Sequence, residues 1–325
     1  MKKKSLIDTP VLLMLFVRPE QLLKSFNAVK LARPSKLFLL SDGPRKNYDS
    51  DKELNDKCKE IVEDINWECE VYHKYSKLNQ GMYITAYEGF KWCFSFVDRV
   101  IFLEDDIVAN QSFFKFCDEL LEKYKNDLRI HSICGMNHVG QYDGPASDYF
   151  FSKQGSIWGF ALWKRTFDSF EYNLNFTQDK YSFNLFLNSI PKNNRRSIKS
   201  NIILKRKNWE ENNELGDFEL ISFAAFHLQN GLRIIPKNNM ISCHGISENS
   251  GHSVNNKLKL PKSIRSLFFM KTYEISFPIK HPNYVIGDSK YDELVLKYMG
   301  VNNVIRFFRK VETKLRGYIF LLLNK

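Results

Sequence analysis

The feature that most constrains this chain is an alternation of short apolar runs with stretches whose apolar residues recur at helical spacing. Val11 to Val17 is a continuous apolar run, the pattern of a strand buried on both faces. Pro19 follows as a first-turn residue, and Leu22, Leu23, Phe26 and Val29 recur at helical intervals. Lys36 to Ser41 predicts a second strand, ended by the turn Asp42-Gly43-Pro44. A helix over Asp51 to Ile65, a strand over Cys69 to His73 and a helix over Gly81 to Phe96 come next. Arg99 to Leu103 predicts a strand that runs into Glu104-Asp105-Asp106, and Ser112 opens a helix reaching about Lys125. Strands that alternate with helices imply an α/β fold with a doubly wound, mostly parallel sheet flanked by helices. Such sheets bind ligands beyond the carboxyl ends of their strands, where Asp42 and the 104–106 acids would converge.

Past residue 130 the pattern loosens. Tyr149 to Trp163 is aromatic and glycine-bearing, like the wall of a site. Lys192 to Lys207 carries Arg195, Arg196, Lys199, Lys205, Arg206 and Lys207 with no acid among them; it reads as a basic lid or, more plainly, as a solvated helix face. Asp217 to Gln229 predicts a helix closed by Asn230-Gly231, and Arg233 to Ile235 a short strand. There is no internal repeat, P-loop, GxGxxG or GxSxG motif.

Composition narrows the class. Of 325 residues 43% are hydrophobic, enough for a packed core and too many for disorder. No apolar run approaches the roughly 20 residues of a membrane span. The eight-residue run from Pro10 to Val17, with Asp8 before it, reads as a strand and not as a signal peptide. Six cysteines without CxxC spacing point to a reducing compartment. Net charge is +11, of which residues 255–325 carry +9, so a near-neutral body bears a basic C-terminal extension. An anionic partner, a membrane surface or a nucleic acid, would suit that extension, as would plain solvation. Within it Val301, Val304, Ile305, Phe308, Val311, Leu315, Ile319 and Leu322 form a helical stripe flanked by Arg306, Arg309, Lys310 and Arg316. Such a helix suits a membrane interface or packs on protein. Its aromatics lie on that stripe and not among the bases of a sheet, which ranks nucleic acid last.

The acids carry the chemistry. Three adjacent carboxylates at a strand end repel one another unless a cation sits among them. A divalent metal there, Mn²⁺ or Mg²⁺, would also grip a diphosphate. Asp42 at the next strand end suits a base N–H or ribose hydroxyl, or is a plain turn aspartate. Asp217 opens a helix, as an N-cap or as a general base, with Glu219 the other candidate base. His252 lies in the Gly/Ser/Asn-rich stretch from Gly245 to Ser253, where a closing loop could bring it to a metal.

Several segments in order resemble a family: Phe16-Val-Arg18-Pro, Ser41-Asp42-Gly43, Asn79-Gln80-Gly81, Ile101-Phe-Leu-Glu104-Asp105-Asp106, Tyr149-Phe-Phe-Ser152, Ile157-Trp158-Gly159-Phe-Ala-Leu-Trp163, Gly216-Asp217-Phe218, Asn230-Gly231-Leu-Arg-Ile-Ile-Pro236 and the loop after Gly245. Together they resemble the bacterial nucleotide-diphospho-sugar transferases of GT-A fold, hemolysin- or HlpA-like, and more distantly the N-acetylglucosaminyltransferase that begins hybrid N-glycans. The resemblance implies a GT-A domain over 1–254, followed by the basic helical extension over 255–325. It implies an inverting, metal-dependent hexosyl or N-acetylhexosaminyl transfer from a nucleotide-sugar donor, UDP-sugar favoured, to a surface-glycan or lipid-linked acceptor. Arg18, Asp42, Glu104 and Asp105 would serve the nucleotide and metal region, Asp106 and His252 the metal itself, and Trp158 and Gly159 the sugar pocket. Asp217, or Glu219, would be the base. The implied setting is the cytoplasm, at the inner face of the cell membrane, in polysaccharide or lipopolysaccharide assembly. A metal-dependent hydrolase of nucleotide sugars or phosphate esters is the alternative on the same acids.

Overall fold

A computed structural model describes residues 2–212, 217–246, 260–299 and 303–323. The first half follows the expected alternation: β1 (Val11–Leu15), α1 (Pro19–Ala32), β2 (Lys36–Ser41), α2 (Ser50–Val62), β3 (Glu70–Tyr75), α3 (Met82–Cys93) and β4 (Arg99–Glu104). Both faces of β1 are covered, with Val11, Leu12 and Leu13 fully buried, which is why its sequence is apolar at every position. Val11 and Leu13 join Phe26, Val29 and Phe113 in one core, and Leu12 joins Phe38, Leu40 and Phe90 in the other. α1 begins on Pro19 and ends at Arg33 in the left-handed region, φ 47°.

The chain then makes β5 (Ile107–Ala109), α4 (Gln111–Lys123), β6 (Ile130–Cys134), β7 (Tyr149–Ser152), β8 (Phe160–Trp163) and the short α5 (Lys164–Phe167). After these come α6 (Lys180–Ser189), α7 (Lys192–Asn212), α8 (Phe218–Leu228), β9 (Leu232–Pro236) and β10 (Ile241–Cys243). The main sheet has the order β3-β2-β1-β4-β8-β6-β9-β7. β8 runs antiparallel to β4 and β6, and β7 antiparallel to β9; the other pairs are parallel. The sheet is therefore mostly parallel and flanked by helices, as a GT-A-type fold requires. β10 and β5 pair antiparallel as a small second sheet. The stretch from Tyr149 to Trp163, read as a wall, is two four-residue strands, each buried throughout.

The C-terminal part supplies α9 (Lys262–Arg265), α10 (Ser289–Tyr298) and α11 (Asn303–Leu323). Residues 260–299 are fastened to the body. Glu274 accepts from the Gln111 and Ser112 amides at the start of α4, at 3.0 and 2.7 Å. Asn110 donates to the Tyr273 carbonyl at 2.7 Å. Tyr291 of α10 is fully buried against Phe150 and Ile235. Among the described residues no helix is long and apolar enough to cross a membrane.

Candidate active site at the carboxyl edge of the sheet

The parallel strands β1, β2 and β4 end on one edge, so Arg18, Asp42 and Glu104 to Asp106 emerge there. β8 runs the other way, which brings its start, Trp158 and Gly159, to the same edge. Gly159 has φ 60°, and a Cβ on it would lie 3.0 Å from Ile241 Cγ2 and 3.1 Å from Ile107 Cγ2. Only glycine joins β8 to the small sheet in that conformation. The Trp158 ring packs on Phe268, 5.2 Å between centroids.

Arg18 is the resident cation of the acid triplet. Its guanidinium spans two carboxylates, with Nη2 2.5 Å from Asp105 Oδ1 and Nη1 2.6 Å from Asp106 Oδ2. The Phe16 amide donates to Asp105 Oδ2 at 3.1 Å, and Ser25 Oγ to the Asp105 carbonyl at 2.9 Å. The demand for positive charge read in the sequence is thus met in part by the chain itself. One guanidinium does not offset three carboxylates. Burial, and then the charge of Asp106, push Glu104 up to about 8 against the pull of Arg18. Burial also holds Asp105 up, near 6, although Arg18 opposes it. β10 closes from the far side: the His244 amide donates to the Asp106 carbonyl at 2.7 Å. A Cβ on Gly245 would fall 2.3 Å from Asp106 Oδ2.

Asp42 is buried, and its carboxylate is taken up by the chain. Oδ1 accepts from the Gly43 and Gln80 amides at 2.8 and 2.9 Å; Oδ2 accepts from the Gly81 amide and Asn79 Nδ2 at 2.8 and 2.9 Å. Asp42 shapes this edge from inside by clamping the 79–81 loop, which is what Asn79-Gln80-Gly81 is for. Gly43 is needed because a Cβ there would lie 2.4 Å from the Leu78 carbonyl carbon. Next to it Arg45 forms two bonds to Asp51, at 2.7 and 2.8 Å, with its guanidinium 3.8 Å from the centre of the Tyr48 ring.

Asp217 stands at the N-cap position of α8 but makes no capping bond with its side chain. It meets Lys205 of α7 instead, Oδ1 to Nζ 2.9 Å. Glu219 lies in the first turn of α8. The charge of Glu219 reaches Glu104, as the smallest of the influences on it. Tyr83, at the start of α3, is held above its ordinary range by burial and then by the charges of Glu219, Asp217 and Glu104. The sequence reading missed Tyr83. Its one signal is its place two residues after Gly81, whose φ of 88° ends the loop that Asp42 clamps. His252 and Gly216 lie outside the described residues.

Two observations bear on whether a divalent cation fits. The excess of carboxylate over guanidinium is the first. The second is His244, half-buried beside Asp106, whose Nδ1 has no hydrogen-bond partner. Among the described residues no three His, Cys, Asp or Glu side chains gather around one point. Asp106 and His244 are the residues that could hold such a cation, and ligands from the donor or from solvent would have to complete its shell.

No family model matches this chain, and no curated protein matches its sequence. Among solved structures it is similar to the mannosyltransferase PcManGT from Pyrobaculum calidifontis in complex with GDP-Man and Mn²⁺. The identity is 8% and the TM-score 0.32, over 50% of this chain and 47% of that one. The chain thus spans about half the length of that protein. A likeness of this extent decides nothing about the chemistry, which rests on the residues above.

Proposed function

We propose that this protein is a metal-assisted glycosyltransferase that moves a sugar from a nucleotide-diphosphate donor to an acceptor hydroxyl with inversion. One observation carries the reading: Arg18 bridges the acids at the end of β4, and Glu219 of α8 is near enough for its charge to bear on Glu104. The ordered series of segments from Phe16 to Pro236 is its second support.

In this reading Arg18 fixes Asp105 and Asp106, so that Asp106 and His244 present their free atoms at a defined place. A divalent cation bound there would offset the charge that grows on the leaving diphosphate. Trp158 and Gly159 line the pocket for the sugar. Glu219 or Asp217 accepts the proton of the acceptor hydroxyl as its oxygen bonds to the anomeric carbon and the bond to the diphosphate breaks. Asp217 can do so only when Lys205 gives up its ion pair. A single in-line displacement inverts the configuration. UDP-sugars are the favoured donors, and a surface glycan or lipid-linked sugar is the acceptor. The basic extension over 301–325 would meet an anionic membrane surface, and the setting is the cytoplasmic face of the cell membrane.

The test is turnover of a panel of nucleotide sugars with and without Mn²⁺, followed by NMR of the product's anomeric proton. We expect Mn²⁺-dependent transfer with inversion, reduced at least a hundredfold in Asp106→Ala, the scale of losing one transition-state electrostatic contact. Wild-type turnover by Asp106→Ala would remove the metal role, and a retained configuration would remove the single displacement. Donor breakdown at full rate without any acceptor would make the protein a hydrolase.

A further inference from the structure

Wound into α7, the bases between residues 192 and 207 fall into an inward set, an outward set without ion-pair partners among the described residues, and Lys207, which is exposed and pairs with Glu211 at 3.5 Å. The inward set is partnered. Arg195 donates to the Ile190 and Asn188 carbonyls, both at 2.8 Å. Lys205 meets Asp217, and Arg206 bonds Glu210 and the Asn173 carbonyl. Toward water, Arg196 and Lys199 are exposed and have no ion-pair partner among the described residues. Ile203 and Leu204 stand beside them, 49% and 55% exposed. On α6, Tyr181 and Leu185 are 73% and 53% exposed, on the face that Asn184 and Asn188 share. That face borders Arg196 and Lys199 across one cleft.

A helix face that only needs to be wetted does not gather four large apolar side chains around unpaired cations. Apolar groups that can enter an acyl layer, set among bases that meet lipid phosphates, match the surface of an anionic bilayer. We propose that the α6–α7 hairpin docks this protein on an anionic phospholipid surface. The geometry gives the contact a use. Lys199 and Arg196 precede Lys205 by six and nine residues, about 9 and 14 Å along the helix at 1.5 Å per residue. The docking face therefore lies within one short helix segment of Asp217, and an acceptor held in the bilayer would arrive beside the sheet edge. Docking is separate from glycosyl transfer and from the 301–325 extension, because it needs neither a donor nor those residues.

The test uses the full chain and vesicles of phosphatidylcholine, pure or mixed with an equal part of phosphatidylglycerol, in a co-sedimentation assay. The parent should bind the mixed vesicles and not the pure ones. Arg196→Gln with Lys199→Gln should weaken binding about 30-fold, since each base near such a surface contributes roughly fivefold. Ile203→Ser with Leu204→Ser should weaken it as well. All four positions are exposed, so an unchanged Tm will show that the variants fold. Both variants binding as the parent does would overturn the proposal, with attachment then belonging to other residues such as 301–325. Displacement by inorganic phosphate at matched ionic strength would mark a free-anion cleft and would overturn it too, as would binding of single-stranded RNA in preference to the vesicles.

Discussion

Arg18 joins two acids that lie 88 residues or so away in the chain, and its removal should be felt in folding before it is felt in chemistry. The Asp105 side chain is 2% exposed. Without its counter-charge a buried carboxylate costs about 3–5 kcal/mol. We expect Arg18→Ala to lose stability on that scale in urea denaturation, and Arg18→Lys to fall between, because an ammonium does not fork across two carboxylates. An unchanged midpoint for Arg18→Ala would show that the bridge does not hold the edge together. Asp42→Asn should cost about 2 kcal/mol, since an amide turns a donor toward one of the N–H groups that the carboxylate now accepts from. Hydrogen exchange of the Gln80 and Gly81 amides will report whether the clamp has opened. At this scale the sequence was informative about need and silent about supply. Three adjacent acids announce that a cation is required. Which cation answers depends on the pairing of β1 with β4, and nothing local to Arg18 records it. Asp42 was legible as a strand-end acid, but its four donors come mostly from a loop beyond the next strand.

At the scale of elements, α4 shows how the last third of the chain is tied in. Its first two amides end on Glu274, at 3.0 and 2.7 Å, while Asn110 caps the Phe113 amide at 3.0 Å. Glu274→Ala should lower stability by about 1–2 kcal/mol, the cost of losing a charged cap at a helix N-terminus, and Glu274→Gln by less. Thermal melts will measure both, and no loss in either would mean the contact is idle. Helices α5, α6, α9 and α10 went unread, while α1 to α4, α8, α11 and the first four strands were readable from their apolar patterns. β7 and β8 were not. Four residues buried throughout carry no alternation, and no residue of β8 states that it runs against its neighbours. Direction is set by which strands flank it, a property of the whole sheet. The basic run of α7 was legible as a helix face, but its division into paired and unpaired halves needed the neighbours Asp217, Asn173 and Asn188.

Across the whole molecule, acid sensitivity follows from three histidines, two buried and His227 half-buried. Burial, and then Arg233, hold His138 down at about 4; His227 is also near 4, through burial, Arg233 and Lys153. His131 lies well below its ordinary value through burial, Arg233 and Arg165. All three are neutral in the fold. Below about 6.5 the unfolded chain takes up protons that the folded chain refuses, so stability falls as pH drops from 6.5 toward 4. The slope for His138 is about 1.4 kcal/mol per pH unit over that window. Denaturation midpoints at pH 7, 6 and 5 will test it, and His138→Gln should flatten the dependence. A midpoint that does not move between pH 7 and 5 would mean that these rings do not control acid stability.

The guanidinium within the acid triplet has a last consequence. It is a counterion the chain always carries, whereas a metal would be one it borrows. A chelator should therefore leave Tm unchanged while stopping metal-dependent turnover, and a large fall in Tm would show that the borrowed ion is structural. On the proposed function, such a protein would stay folded but dormant through metal starvation and return to work when the ion returns, without being synthesised again.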